Sequence, residues 1–271
     1  MSDTIEGTVR RSDETVLAFQ VHGRRDAPAL LLLPGQANSH HWWDGLRDRF
    51  APDFRTVTFD YRGTGSTRAR ESLDAGWSTS MFAADAVAVL DELGCEHAHV
   101  YGTSMGGRVA QMLAIEHGHR LDRLVLACTS PGGRRAHERS KAVLESLAQR
   151  DSGARRQALL DLMYTPAWPP SARRASNLLG DPRMSTMATR LHLRVSARHD
   201  ALDLLPSITA PVLVLHGDDD LMAPVQNAHL LVEQIPGAVL EIVEGARHGF
   251  FDEFAETVTA RVKVFLGGPP R

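Results

Sequence analysis

The stretch Ala98-His99-Val100-Tyr101-Gly102-Thr103-Ser104-Met105-Gly106-Gly107 decides how this chain is read. Ala98 to Tyr101 is a short apolar run of strand character, and Met105 to His117 carries a helical pattern that closes at Gly118. Between them stands Gly-x-Ser-x-Gly. Glycine and serine are common residues, so the pentapeptide alone says little; a strand before it and a helix after it give it meaning. A serine on a sharp strand-to-helix turn adopts a strained backbone, and the flanking glycines are needed because side chains there would collide. The helix N-terminus also brings backbone N–H groups and partial positive charge beside the serine oxygen, an environment that favours a developing oxyanion.

A serine hydroxyl is a poor nucleophile until a base takes its proton, and that base must be held in the right tautomer by a carboxylate. The sequence should therefore supply an acid and then a histidine, each at the C-terminal end of a later strand. The apolar run Val212 to His216 leads into Gly217-Asp218-Asp219-Asp220, and Val239 to Val243 leads into Gly245-Ala246-Arg247-His248-Gly249. Serine, acid and histidine thus occur in the order of one hydrolase architecture and not of the other common triad folds.

Outward from these pieces, strands are expected at Val16 to Val21, Ala29 to Leu33, Phe54 to Phe59, Ala98 to Tyr101, Leu121 to Ala127, Val212 to His216 and Val239 to Val243. Most are continuous apolar runs, as strands buried on both faces should be. The first alternates, as an antiparallel edge would. Helices fit between them: Ser80 as cap of a helix to Leu93 with Gly94 just past its end, Met105 to His117, and Phe254 to Leu266 stopping at Gly267. Pro131 to Leu205 breaks the alternation: it has no convincing strand, several helical patterns interrupted by Pro166, Pro169, Pro170 and Pro182, and arginines, Arg173 and Arg174 among them, that far outnumber its acids. It reads as a helical insertion (131–205) in a sheet core formed by 1–130 and 206–271.

The chain of 271 residues, 43% hydrophobic with a net charge of −3, is long enough for one elaborated α/β domain and lacks the basic character of a nucleic-acid binder. Its longest apolar run, Ala29 to Leu33, is far too short to span a bilayer, and the opening Met1 to Gly7 is polar and acidic rather than a secretory signal. A cytoplasmic protein with no membrane and no nucleic-acid partner is the expectation. The two cysteines, Cys95 and Cys128, cannot make a disulfide framework and read as small buried hydrophobes.

Taken together, Leu31-Leu32-Leu33-Pro34-Gly35-Gln36, Asp60-Tyr61-Arg62-Gly63-Thr64-Gly65-Ser66, the Ser104 turn, Gly217 to Asp220 and Gly245 to Gly249 resemble the α/β-hydrolase fold over nearly the whole length. The resemblance implies a mostly parallel eight-stranded sheet with helices on both faces and a helical cap, or lid. It implies a catalytic triad of Ser104, Asp220 and His248, the acid being chosen because it lies three residues after the turn glycine; Asp218 and Asp219 are then solvated turn residues. The other position the fold allows for the acid is filled by Thr129 and Ser130. The oxyanion hole maps to the backbone N–H groups of Gln36 and Met105, with Pro34 standing where a histidine is commonest, a departure expected to alter loop support more than chemistry. Within the fold the chain is most similar to small bacterial esterases, enol-lactone hydrolases and cofactor-free haloperoxidases, a similarity carried by Asp85 to Gly94 leading into Tyr101 to Gly107. That implies a small-molecule ester or lactone as substrate, with no cofactor and no metal. Perhydrolysis and carbon–carbon bond hydrolysis use the same residues, and a non-catalytic ligand-binding module keeps the same fold. Ser104 argues against the branches whose nucleophile is an aspartate.

Several residues carry a plainer reading beside a sharper one. His40-His41-Trp42-Trp43 reads as a loop-to-helix start with its tryptophans against the pocket wall rather than as a metal site. His97 and His99 read as helix-end or edge residues, and Asp60, Arg62 and Gly63 as scaffold of a turn. The arginines of 131–205 form a solvated surface, or one or two of them face the pocket and favour an anionic substrate. Trp42, Met163, Tyr164 and Trp168 are candidates to line that pocket.

Overall fold

The computed structural model describes residues 4–169, 171–172 and 177–268, so Met1, Pro170, Arg173 and Arg174 lie outside the described residues. Eight strands, β1 (Ile5–Arg10), β2 (Val16–His22), β3 (Ala29–Leu33), β4 (Arg55–Phe59), β5 (Ala98–Thr103), β6 (Leu121–Ala127), β7 (Val212–Gly217) and β8 (Val239–Val243), form one sheet in the order β1-β2-β4-β3-β5-β6-β7-β8. The pairs β1/β2 and β2/β4 are antiparallel, and all others are parallel. The strand without an apolar signature is β1, where no position of Ile5–Arg10 is fully buried. It is an edge strand held by its ladder on β2, so β2 is antiparallel as its alternation suggested but is not the edge. His99 also departs from expectation: it lies on central β5, and burial pushes its imidazole pKa down.

The period of two along β3 explains why a run of leucines makes a strand here. Leu30 and Leu32 pack in one layer with Trp43, Tyr101, Phe250 and Val258, while Leu31 and Leu33 pack in the opposite layer with Val57, Phe82 and Val109. Flanking helices are α1 (Arg47–Phe50), α2 (Thr79–Glu92), α3 (Met105–Glu116), α4 (Lys141–Leu147), α5 (Ser152–Met163), α6 (Thr186–Arg198), α7 (Gln226–Gln234), α8 (Phe250–Glu253) and α9 (Ala255–Leu266). The cap of α2 is Ser78, whose side chain accepts from the Met81 N–H, rather than Ser80. Gly94, at φ +63°, ends that helix in the left-handed conformation glycine tolerates best.

Between β6 and β7 the described residues hold α4, α5 and α6, each N-capped by its preceding side chain, Ser140, Asp151 and Ser185. Their apolar faces do not form a core of their own. Leu160 and Met163 of α5 join the Leu30/Leu32 layer, whereas Ala188, Leu191 and Val195 of α6 join the other.

A buried polar frame fixes the loops after β3 and β4. Asp60 accepts from the His40 backbone N–H and Nδ1 at 2.8 Å each and from the Ser66 N–H at 2.7 Å. Gly65 sits so close to this carboxylate that an added Cβ would lie 1.9 Å from it. Arg62 forks onto Asp85 at 2.6 and 2.8 Å, and Arg11 approaches the same carboxylate at 3.1 Å. From α6, buried His192 ties both loops together: its Nε2–H donates to the Arg62 carbonyl at 2.8 Å, and its Nδ1 accepts the Ala37 N–H at 3.2 Å. Both bonds need the neutral ring. Burial pulls His192 down to about 4, against the Arg62 carbonyl, and burial with the nearby Arg108 charge pulls His199 down to about 3.

These depressed values set a sign. Below the ordinary histidine value of about 6.5 the unfolded chain binds protons that folded His192 and His199 refuse, so stability, complete above that pH, declines on acidification at up to about 1.4 kcal/mol per pH unit for each. Urea unfolding at pH 7.5, 6.5 and 5 should show a steep fall over the last interval. His192→Gln, which keeps a donor and an acceptor without titrating, should make that fall shallower; a level stability from pH 7.5 to 5 would contradict the assignment.

Candidate active site

Ser104 stands between β5 and α3 at φ +53°, ψ −120°, a conformation that costs a non-glycine residue about 1–3 kcal/mol. Its surroundings impose it. A Cβ on Gly102 would lie 2.4 Å from the Gly106 carbonyl oxygen, and one on Gly106 would lie 2.2 Å from the Leu33 carbonyl oxygen. The Ser104 N–H donates to the Ala127 carbonyl at 2.9 Å, and Thr129 Oγ1 donates to the Ser104 carbonyl at 2.7 Å. The hydroxyl is thereby held at the C-terminal end of the sheet.

His248 reaches it from the loop after β8. His248 Nε2 lies 3.0 Å from Ser104 Oγ, and its Nδ1 lies 2.8 Å from Asp220 Oδ2. A carboxylate at Nδ1 keeps the proton there, so Nε2 presents its lone pair to the hydroxyl. The loop rests on the end of α5, whose unsatisfied carbonyls accept from it: the His248 N–H donates to Leu162 at 3.3 Å and the Gly249 N–H to Met163 at 2.7 Å.

Asp220 is buried in the turn after β7. Burial alone would raise its pKa, but the His248 and His216 imidazoles outweigh that and hold it well below the usual carboxylate range. Its Oδ1 accepts the N–H groups of Met222 and Ala223 at 2.9 Å each. His216, which sequence reading treated only as a strand end, lies 3.4 Å from Asp220 Oδ2 while its Nε2–H donates to the Ala223 carbonyl at 2.7 Å. The neighbouring acids are more than solvated turn residues. Asp218 accepts the Gly245 N–H at 2.6 Å and Asp219 accepts from Arg247 Nε at 2.9 Å, so both brace the histidine loop.

Gln36 and Met105 line the same small cavity as Ser104 and His248, and their backbone N–H groups meet no acceptor among the described residues. With proline at position 34, support for the Gln36 loop comes from two other sources. Asn38 Nδ2 donates to the Gln36 carbonyl at 2.9 Å, and His192 holds the Ala37 N–H. Nothing near Ala37 in sequence points to His192, 155 positions away; its one signal was a histidine on the otherwise apolar face of α6.

The cavity, about 80 Å³, is lined also by Arg108, Cys128, Thr129, Ser130, His137 to Arg139, Ser196, Met222, Ala223 and Asn227. None of the four pocket candidates lines it. Trp42 is buried, its Nε1–H donating to Thr103 Oγ1 at 2.8 Å and its ring stacking on Phe251. Met163 and Tyr164 are buried beneath the histidine loop, and Trp168 packs its ring on Tyr164. Their apolar bulk joins α5 to the core, while mostly polar residues line the cavity beside the serine. His40 and His41 bond to Asp60 and Asp44 rather than to each other's ligands, and among the described residues no group of three or more His, Cys, Asp or Glu could hold a metal ion. Cys128 is buried, with burial pushing its thiol pKa up, whereas Cys95 is only half-buried. No helix among the described residues is long and apolar enough to cross a membrane.

Comparison with known proteins bears on this geometry. A protein of Caulobacter sp. (strain K31) named "Putative carbamate hydrolase RutD" is 30% identical over 266 residues, covering 93% of this chain and 96% of its own. The crystal structure of the esterase RhEst1 from Rhodococcus sp. ECU1013 superposes with a TM-score of 0.82 at 26% identity, over 97% of this chain and 98% of the other. The enol-lactonase from Burkholderia xenovorans LB400 shares the fold, with a TM-score of 0.80 at 23% identity over 97% of this chain and 100% of its own. A family model described as alpha/beta hydrolase fold matches residues 28–255. That span runs from β3 to the start of α9 and takes in the serine turn, the acid turn and the histidine loop; the chain belongs to the alpha/beta hydrolase fold family.

Proposed function

We propose that the chain is a serine hydrolase that cleaves a small carboxylic ester or lactone through an acyl-enzyme on Ser104. The observation that carries this reading is the continuous relay from Asp220 through His248, 2.8 and 3.0 Å in its two steps, ending on a strained serine hydroxyl. Ser104 Oγ attacks the acyl carbon as His248 Nε2 takes its proton. The Gln36 and Met105 N–H groups receive the oxyanion, which gives these otherwise unpartnered donors their acceptor. His248 then passes the proton to the leaving oxygen, and water repeats the sequence on the acyl-enzyme. Asp220 stays ionised throughout and stabilises the imidazolium. The segment 131–205 serves as the cap: its residues 137 to 139 and Ser196 close one side of the cavity, so substrate choice resides there and in the Ser104 helix.

A second acyl class is favoured by a specific observation. The Caulobacter relative carries carbamate hydrolase in its name, and a cavity of about 80 Å³ suits a compact acyl group. The same relay serves a carbamate ester, whose acyl carbon is less electrophilic but whose attack and departure steps are identical.

Purified protein should hydrolyse short aryl esters and be labelled on Ser104 by a fluorophosphonate. Ser104→Ala and His248→Ala should each lose activity by about 10³-fold or more; folded protein with neither hydrolysis nor a Ser104 adduct would remove the hydrolase reading. In the acid series, Asp220→Asn should cost on the order of 10⁴-fold in kcat, by analogy with other triads, and far exceed the losses from Asp218→Asn and Asp219→Asn. The reverse order would move the acid to a neighbour. Phenyl acetate compared with phenyl carbamate separates the two acyl classes, the larger kcat/KM identifying the one the cavity fits.

A further inference from the structure

Two guanidinium groups line the cavity in front of Ser104, and neither has a carboxylate partner among the described residues. Arg108 lies one turn along α3 from the serine, its backbone N–H donating to the Ser104 carbonyl at 3.3 Å. Its side chain is aimed by two neutral acceptors: one Nη donates to the Ser196 carbonyl at 2.5 Å and the other to Ser130 Oγ at 2.8 Å. These bonds satisfy part of the fork and leave the charge uncompensated. Arg139 lines the same cavity from the segment preceding α4, and that segment is fixed to the core. Asn227 clamps it by accepting the His137 N–H and donating to the His137 carbonyl, both at 2.9 Å.

An unpaired cation is costly where water is excluded, and burial together with the Arg139 charge pulls Arg108 down to about 10, against the opposing pull of Glu138. At neutral pH it is still protonated. Glu138 also lines the cavity but is exposed and forms no ion pair with either arginine. Arg108, Arg139 and Glu138 together thus carry one more positive charge than negative, Arg108 within a helical turn of the nucleophile, with guanidinium N–H donors unused. A planar anion matches a guanidinium fork better than any neutral group does.

We propose that Arg108, assisted by Arg139, forms an anion subsite, and that the substrate is a short ester or lactone carrying a free carboxylate within a few bonds of the scissile carbonyl. The substrate part of this inference rests on the hydrolase reading above; the subsite part does not. Of the twelve arginines of 131–205 that could have faced the pocket, only Arg139 does so among the described residues, and the deeper cation comes from the Ser104 helix instead.

The test has two arms. Succinate, which cannot be hydrolysed, is titrated calorimetrically into wild type, Arg108→Gln, Arg108→Lys and Arg139→Gln. Wild type should bind it, Arg108→Gln should weaken binding at least tenfold, and Arg108→Lys should recover part of the loss. Because Arg139 is only half-buried, Arg139→Gln stays informative even where Arg108→Gln fails to fold, and it should weaken binding severalfold. In the second arm, monomethyl succinate is compared with its neutral isostere methyl 4-methylpentanoate by methanol release. The kcat/KM ratio should favour the charged ester at least tenfold in wild type and collapse in Arg108→Gln, chiefly through KM. No succinate binding by wild type, or equal binding by wild type and both glutamine variants, overturns the subsite even if both esters are hydrolysed. Succinate binding that depends on Arg108, in protein that hydrolyses neither ester and takes no fluorophosphonate on Ser104, would instead retain the subsite and overturn the hydrolase reading.

Discussion

One close approach governs the rest of this molecule: α3 begins so near β3 that Gly106 leaves no room for a Cβ beside the Leu33 carbonyl. The approach forces the turn before it into the conformation seen at Ser104, and it brings the Gln36 loop, which follows Leu33, to the same cavity that Met105 lines. Two backbone N–H groups without an acceptor among the described residues, from segments some seventy positions apart, therefore meet at one cavity as a consequence of one helix–strand contact. The contact survives only because the strand and helix are locked from both sides by the apolar layers that share β3, Leu30 and Leu32 on one face and Leu31 and Leu33 on the other. A strained residue persists when its surroundings over-determine it, and here the over-determination is the sheet core itself.

The second requirement is to keep a buried carboxylate charged. Asp220 has lost its water, and the compensation is local: two backbone N–H groups on one oxygen and two imidazoles about the other. Away from the site, Asp60 and Asp85 are also buried and each is supplied with several donors. His192 solves the complementary problem. It remains neutral and uses both ring nitrogens, so a single side chain from α6 can join the loop after β4 to the loop carrying Gln36.

What could be read in advance follows from these causes. Buried strands announce themselves because a strand covered on both faces must be apolar throughout, and the glycines of the Ser104 turn announce themselves because nothing else fits. The relay was legible since its members each sit just after a strand, where chain order maps onto space. β1 was not legible, because an edge strand stabilised by its ladder alone needs no apolar stripe, and Ile5–Arg10 shows none. The pocket was misread for a related reason. Met163, Tyr164 and Trp168 have the composition of a ligand pocket, yet the same composition is what a helix needs to attach itself to a core, and sequence holds no sign of which face meets solvent. The Ser78 cap was displaced by two residues because Ser80 offers the same hydroxyl, and only backbone geometry separates them.

Long-range polar contacts were the least legible of all. Arg108 belongs to the most recognisable segment of the chain, directly after Gly106-Gly107, and nothing in that segment distinguishes it from a surface arginine on an amphipathic helix. Its meaning depends on Ser130 and Ser196, one after β6 and one on α6, which turn the guanidinium toward the cavity instead of toward water. The catalytic groups are fixed by the sheet, whose pattern is local and repeated. The Arg108 guanidinium is held by the β6–β7 segment packing against α3, a contact without a periodic signature. A fold of this kind can therefore keep its chemistry constant while the identity of one residue per helical turn of α3, and of the few atoms that aim it, changes what the chemistry is applied to.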